Sequence, residues 1–403
     1  MHCVITGVTG LRNRGVEALV LPIIEGVRAK YPDAKITLAT NTPPFDAMRL
    51  DVLGIDVIHF AQPGNLQSVR NLMGKIVGGG NNRLKRLHDA IKSSDMLIVT
   101  GGDVFSSEYS GLARHLGPVR VAIDNRVPVV LLAHSLGPFK TEKEVATFQE
   151  VSRKLSLVTL REKKSYDYSI EVLETDPAKT HLTADVAFLL KPESEEKIDK
   201  IRKYYGLEAD RPTLALGVSG GITKYLNSKP EAHIDAWKQF VRWATEKYGM
   251  QILIVPHVQE VTARNDDRIV ATNLVAELEF DPAVKVASMN HDAREYKGLI
   301  KSCDMVISER MHACIGGLST GTPTVSVKYS VKAEGIMQDF FGSDPRGLGV
   351  LIDFEDFLDT SKRERSFSIA WENRDQIRQK LEKKLPEIEQ LAGRNFELIS
   401  TLV

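Results

Sequence analysis

Two successive series of short β-branched runs, separated by longer amphipathic stretches, constrain this chain more than any other feature. Strands at such intervals leave room for a crossover helix, so they pair in parallel with helices laid over the sheet. The first series predicts strands at 3–6, 36–39, 56–60, 96–100, 127–133 and 157–160. Helices are expected at 17–30, 84–93 and 142–154, the first with Leu19, Ile23, Ile24 and Val27 at helical spacing. The glycine- and asparagine-rich stretch 75–83 reads as an exposed loop, and it lacks the G-K-[ST] ending of a phosphate loop. A charged, proline-flanked segment at 191–212 reads as an interdomain helix and linker. Beyond it strands are predicted at 213–218, 251–255, 284–287, 305–308 and 324–327, with helices at 232–247, 267–279 and 293–301. The expected fold is α/β: two Rossmann-like doubly wound domains facing a cleft, at 1–195 and 196–368. A charged helical tail at 369–403 is expected to pack back on the first domain.

Composition narrows the function classes. A chain of 403 residues can bury two cores. Lys plus Arg and Asp plus Glu both total 53, so no global charge favours nucleic acid or an acidic membrane, and any anion recognition is local. Cys3, Cys303 and Cys314 show neither C-x-x-C nor zinc spacing and read as small core fillers in a reducing compartment. No metal centre is expected. The N-terminus enters a strand without a basic leader, and no apolar run of about 18 residues follows. The expected location is therefore the cytoplasm, extending to a peripheral position on the inner face of the membrane, with no integral membrane segment.

The chemistry concentrates in 305–329, MVISERMHACIGGLSTGTPTVSVKY, where an apolar run ends in Arg310 and His312 and passes into a small-residue segment. A strand there would deliver both side chains to the carboxyl end of a parallel sheet, where such folds place ligands. A helix over 313–321 would aim its backbone N–H groups at the same place. A permanently charged guanidinium and an imidazole that titrates near neutrality suit an anionic substrate that needs a proton. The plainer reading makes Arg310 a sheet-edge cap and His312 a satisfied core histidine. Lys328 and Lys332 follow as cations for a phosphate or carboxylate, or as solvated surface residues.

Other strand ends carry weaker signals. Asn13 and Glu17 lie in a glycine-containing turn that suits an anion or a sugar hydroxyl but lacks the G-x-G-x-x-G spacing of a dinucleotide site. Gly101, Gly102 and Asp103 follow the strand at 96–100, with Glu108 and Tyr109 close behind. The paired glycines permit close backbone approach, and Asp103 either orients a hydroxyl, acts as a base or merely caps a turn. His134 ends the next strand as a ligand contact; Ser135 beside it has no G-x-S-x-G elbow. Arg161 ends the following strand, either as a bidentate anion ligand or in an ion pair with Glu162 or Asp185. In the second half, GVSGGITKY at 217–225 and PHVQE at 256–260 each follow a strand, and His257 would face the cleft.

In order along the chain stand NRGVEA, GGD, HSLGPF, VTLREKKS, LTADVAFLL and SERMHACIGGLSTGTPTVSVKYSVKAEGI. In this order they resemble the polysaccharide pyruvyl transferase family over most of the chain. The resemblance implies a GT-B-like pair of domains, the first on the acceptor side and the second on the donor side. It implies transfer of a pyruvyl group from phosphoenolpyruvate to sugar hydroxyls, forming a ketal and releasing phosphate. Carried over by position, His312 would be the general acid, and Arg310 and Arg161 would hold the phosphate and carboxylate of the donor, with Lys328 as a further donor contact. Phosphoenolpyruvate is the co-substrate, no cofactor is implied, and the acceptor is a saccharide or a lipid- or nucleotide-linked glycan. The acceptor or cleft set is Asn13, Glu17, Gly101, Gly102, Asp103, His134 and His257. Two positions depart from the family pattern: Val16 replaces an acidic residue in N-x-G-D-E, and Asp103 replaces the third glycine of G-G-G. The competing readings are a nucleotide-sugar glycosyltransferase of GT-B architecture and a non-catalytic glycan-binding protein of the same fold.

Overall fold

The computed structural model describes residues 1–60, 79–107, 112–222, 226, 229–262, 265–328 and 331–402. The sequence readings at 75–78, Glu108, Tyr109 and Tyr225, and that of the Lys332 side chain, lie outside the described residues. The chain divides into two compact units: Met1–Arg12, Leu19–Val186 and Gln390–Val403, and Asn13–Ala18 with Ala187–Glu389. The boundary thus falls after Val186, against 195 from the sequence, and the tail is not a segment of its own. Its long last helix, Arg374–Ile399, is shared between the units at 389 and 390.

In the first unit β1 (His2–Val8), β2 (Lys35–Thr40), β3 (Asp56–His59), β4 (Met96–Val99), β5 (Gly102–Phe105), β6 (Val129–Leu136), β7 (Leu157–Leu160) and β8 (Thr180–Leu182) form one sheet. The order is β3-β2-β1-β4-β6-β7-β8, with β5 paired to β6 and every pairing parallel. Burial on both faces explains why the central strands read as unbroken apolar runs. Val4, Leu97, Val99, Leu131 and Val158 share a core with helix residues Leu87, Ile91, Leu116 and Phe148. Buried Asn395 accepts from the Thr159 hydroxyl at 2.5 Å and donates to the Ala184 carbonyl at 3.0 Å, tying the chain's last turns to the ends of β7 and β8. The expected loop at 75–83 is corrected in its second part. A helix runs Gly79–Lys92, because burial of Leu87 and Ile91 supports a register that propagates back through the glycines.

In the second unit β9 (Thr213–Gly217), β10 (Gln251–Ile254), β11 (Val284–Val286), β12 (Met305–Ser308), β13 (Thr324–Lys328) and β14 (Leu351–Asp353) form a parallel sheet ordered β11-β10-β9-β12-β13-β14. Numbered within the unit this is 3-2-1-4-5-6, the doubly wound order whose direction reverses between its first and fourth strands. The reversal point lies between β9 and β12, so the turns after Gly217 and after Ser308 occupy the place where such sheets bind ligands.

Candidate functional site

The turn after β12 is built from below. The Glu309 amide donates to the Gly217 carbonyl at 2.9 Å, and its buried carboxylate accepts from Ser219 N–H at 2.7 Å and Trp237 Nε1 at 2.9 Å. His233 Nε2 lies 2.6 Å from the same carboxylate. Since a carboxylate only accepts, that nitrogen carries the proton. Glu309 therefore anchors the switch-point turn to both neighbouring segments.

Arg310, next along, caps the helix Met311–Leu318. Its Nε and Nη2 donate to the two carboxylate oxygens of Asp267 at 3.0 and 2.5 Å. Asp267 is fully buried at the start of the helix Asp267–Glu277 and also accepts from Gly220 N–H at 3.0 Å and Val258 N–H at 2.9 Å. Burial pushes its carboxyl up and the guanidinium pulls it back, with burial dominant. Such a fork-to-fork pair holds the guanidinium at a set angle. The expected amide seat from Ala313 onward shifts, because the helix begins two residues earlier and the Ala313 amide is spent on the Arg310 carbonyl at 3.0 Å. The helix's positive end is at Met311 and His312.

His312 sits in that first turn, and Gly15 explains its placement. Gly15 opens the helix Arg14–Lys30 in the second unit's Asn13–Ala18 segment, its amide held by Asn13 Oδ1 at 3.0 Å. A Cβ on Gly15 would fall onto His312 Nδ1 and lie 2.8 Å from Cγ. Gly15→Ala is therefore expected to rotate the His312 ring away and cut turnover at least tenfold. A wedge of this kind costs about 1–3 kcal/mol of stability, so the test is turnover measured alongside the thermal midpoint. Unchanged turnover would show that the ring tolerates displacement.

Around these residues the second unit closes a recess lined by Arg14, His257, Tyr296, Lys297 and His312 among others, with about 20 Å³ of room, enough for one water-sized group. Arg14, 1% exposed, donates to Glu17 at 3.2 Å, Gln259 at 3.3 Å and Asn290 at 2.5 Å. Glu17 also accepts from Ala293 N–H at 3.1 Å, so its carboxylate organises the recess wall. His257 stacks on Tyr296 with centroids 5.3 Å apart, and its Nδ1 lies 2.9 Å from the Val255 carbonyl. A carbonyl only accepts, so Nδ1 carries the hydrogen. Burial lowers this histidine to about 4, leaving it neutral with Nε2 as an acceptor.

The remaining sequence-derived residues lie elsewhere. Arg161 belongs to the first unit, buried, with Nε donating to Ser135 at 2.7 Å and Nη1 to Asp185 at 2.6 Å. Burial opposes its charge, but Asp185, Glu162 and Asp103 outweigh that and raise it. His134 is fully buried, donates from Nε2 to the Val99 carbonyl at 3.1 Å and is lowered by burial to about 3. Gly102 and Asp103 lie in β5 rather than in a plain turn, and Gly102 pairs with His134. The close approach that Gly101 permits is to the sheet itself, since a Cβ there would stand 2.5 Å from the Ala133 carbonyl. Ala133 has φ 51° at an irregularity in β6, strain of a kind that gathers at functional sheet ends. Lys328 is paired at 3.1 Å with Glu334 and 3.2 Å with Asp353, carboxylates that Arg346 shares, and it does not line the recess.

Sequence reasoning missed Asp267, Arg14, Lys297 and Tyr296. The spacing of Arg14 and Glu17, one helical turn apart, was the available signal for that pair. Nothing local links Asp267 to Arg310, 43 residues away.

The buried His134 and His257 and the half-buried His115 also set a pH dependence. Burial depresses His115 and His257 to about 4 and His134 to about 3, against an ordinary value of 6.5. A depressed histidine contributes stability that is present above about 6.5 and is lost as pH falls through its folded value, at most about 1.4 kcal/mol per pH unit each. The raised carboxyls Asp46 and Asp267 act in the opposite sense at lower pH, so the interval just below 6.5 is the informative one. The thermal midpoint is expected to fall between pH 7 and pH 5; a flat profile there would contradict the buried neutral state.

Comparison with known proteins bears on the family and the fold. The chain is 24% identical over 357 residues to amylovoran biosynthesis protein AmsJ from Erwinia amylovora, covering 81% of this chain and 83% of that one. Among solved structures it is similar to UDP-GlcNAc 2-epimerase from Neisseria meningitidis bound to UDP-GlcNAc, with TM-score 0.64, 12% identity and all of both chains covered. It is also similar to Anabaena Alr3699/HepE in complex with UDP and glucose, with TM-score 0.60, 14% identity and coverage of 99% and 96%. At these identities the likeness is one of fold, a Rossmann-like, GT-B-like α/β architecture. The family model for polysaccharide pyruvyl transferase matches residues 13–331, from the Asn13 turn through β12 and past Lys328, and the chain belongs to that family.

Proposed function

We propose that this protein transfers a pyruvyl group from phosphoenolpyruvate to two hydroxyls of a saccharide, forming a cyclic ketal and releasing phosphate. The observation that carries the reading is the switch-point turn, where Arg310 is oriented by Asp267 two residues before His312 at a helix N-terminus. The donor is an enol phosphate with two anionic groups, so it needs cations at set positions and an acid beside its methylene carbon. His312 gives that carbon a proton, which leaves an oxocarbenium-like centre at C2. One sugar hydroxyl adds there and loses its proton. Cleavage of the C2–O bond releases phosphate, and a second hydroxyl closes the ketal. Arg310 is assigned to an anionic group of the donor, while His134, fully buried on the Val99 carbonyl, is not available as an acceptor contact. Membership of the family supports the transfer and a saccharide acceptor. The test supplies phosphoenolpyruvate and a panel of glycosides and reads released phosphate together with the mass of the ketal product. Binding of uridine diphosphate with no response to phosphoenolpyruvate would overturn the assignment.

A further inference from the structure

The glycine-rich turn after β9, GVSGG, has its amides taken by the protein itself. Ser219 N–H is held by Glu309 at 2.7 Å and Gly220 N–H by Asp267 at 3.0 Å, while Gly221 N–H donates to the Ser219 hydroxyl at 3.3 Å. These three amides are not a phosphate seat. The two carboxylates that hold the turn also flank Arg310, since Glu309 precedes it in the chain and Asp267 grips its guanidinium. The turns after β9 and β12 are therefore locked to each other around that arginine.

Glu309 is held in its turn from behind. His233, on the helix Pro230–Tyr248 and 2% exposed, donates from Nε2 to Glu309 Oε1 at 2.6 Å, and Trp237 Nε1 reaches the same oxygen at 2.9 Å. We infer that His233 is a positioning residue for the transfer: acting through Glu309, it fixes the backbone that carries Arg310 and His312. The inference rests on the roles proposed for those two residues and adds the device that aims them. Apolar side chains of similar volume would stabilise this core as well or better, so what the buried pair adds is a set geometry. The path from it to the site is short. The Arg310 amide donates to the Ser308 hydroxyl at 2.9 Å and Arg310 caps the helix Met311–Leu318, so a shift of Glu309 carries the cap and the His312 turn with it. Displacement of about 1 Å at reacting groups can lower turnover about 10²-fold.

The experiment compares full-length wild type, His233→Leu and His233→Gln. Leucine removes the donor, and glutamine returns an N–H near the place of Nε2. Phosphate release from phosphoenolpyruvate over a panel of glycosides gives kcat and KM, measured well below each variant's thermal midpoint so that every chain is folded. The His312 ring signals in proton–nitrogen correlation spectra, assigned by their absence from His312→Ala, report its placement without any substrate. His233→Leu is expected to lower kcat/KM at least tenfold and to move the His312 signals, and His233→Gln to recover most of both. A merely structural role would lower the midpoints and leave kcat/KM of the folded enzyme unchanged. Should His233→Leu fail to fold, Trp237→Phe removes the other donor to the same oxygen and is expected to act in the same direction. Normal turnover with unmoved His312 signals in His233→Leu overturns the positioning role and leaves the transfer standing. A loss that glutamine does not restore assigns the effect to ring packing and also overturns it. If wild type releases no phosphate from phosphoenolpyruvate, yet the His312 signals move with leucine and return with glutamine, the positioning role stands and the donor assignment falls. If neither phosphate release nor movement is seen, both fall.

Discussion

Replacing His312 with alanine is expected to lower phosphate release from phosphoenolpyruvate by about 10²- to 10⁴-fold, the contribution of a positioned general acid. The side chain sits in the first turn of a helix whose buried face is formed by Ala313, Cys314 and Ile315, so its removal leaves the packing in place. The thermal midpoint should therefore change by no more than a few degrees. Binding of phosphoenolpyruvate should persist, because Arg310, assigned to it, is untouched. The decisive measurement pairs calorimetric binding with turnover: donor bound and turnover lost identifies an acid. Retention of a third or more of wild-type turnover would place the proton source elsewhere. Deuterium incorporation gives a second reading, since the methyl group formed in deuterated water must carry a solvent-derived atom at whatever rate the variant retains.

Sequence pattern revealed the scaffold of this site more fully than its wiring. Fully buried strands such as Met305–Ser308 are legible because parallel strands covered on both faces become continuous apolar runs. The residue after such a run lands at the sheet's carboxyl edge, which is why Arg310 and His312 stood out. By contrast β5, β8 and β14 span only three or four residues each and contain polar positions, too short for any period to emerge. The long-range pairs are invisible for another reason. Arg14 reaches Asn290 across 276 positions, and no local preference encodes such a meeting. Lys328 shows the converse: a lysine that ends a strand beside the R-x-H segment reads as an anion ligand, yet two carboxylates from Glu334 and Asp353 occupy it.

Removing Asp267 should cost more than removing Arg310, although the two form one ion pair. Asp267→Ala withdraws the acceptor for Gly220 N–H and Val258 N–H as well as the partner of the guanidinium. Breaking a buried pair from that side typically costs about 3–5 kcal/mol. Arg310→Met instead leaves a buried carboxyl that burial already pushes up even with the guanidinium beside it. Without that cation the carboxyl takes a proton and still accepts from at least one amide, so the loss should be nearer the about 1–3 kcal/mol of an unsatisfied polar group. The pH dependence separates the two cases. A carboxyl raised in the folded state contributes stability that is fully present below its unfolded value and is lost as pH rises through its folded value. Arg310→Met should therefore recover part of its deficit on acidification relative to wild type, and Asp267→Ala, with no carboxyl to protonate, should not. Unfolding in urea at pH 7.5 and pH 5.5 measures both, and the double variant gives the coupling. Equal deficits for the two single variants at both pH values would mean that Asp267 stays ionised without its partner. Both variants should also raise the KM for phosphoenolpyruvate, Asp267→Ala because the guanidinium keeps its charge but loses the fork that aims it.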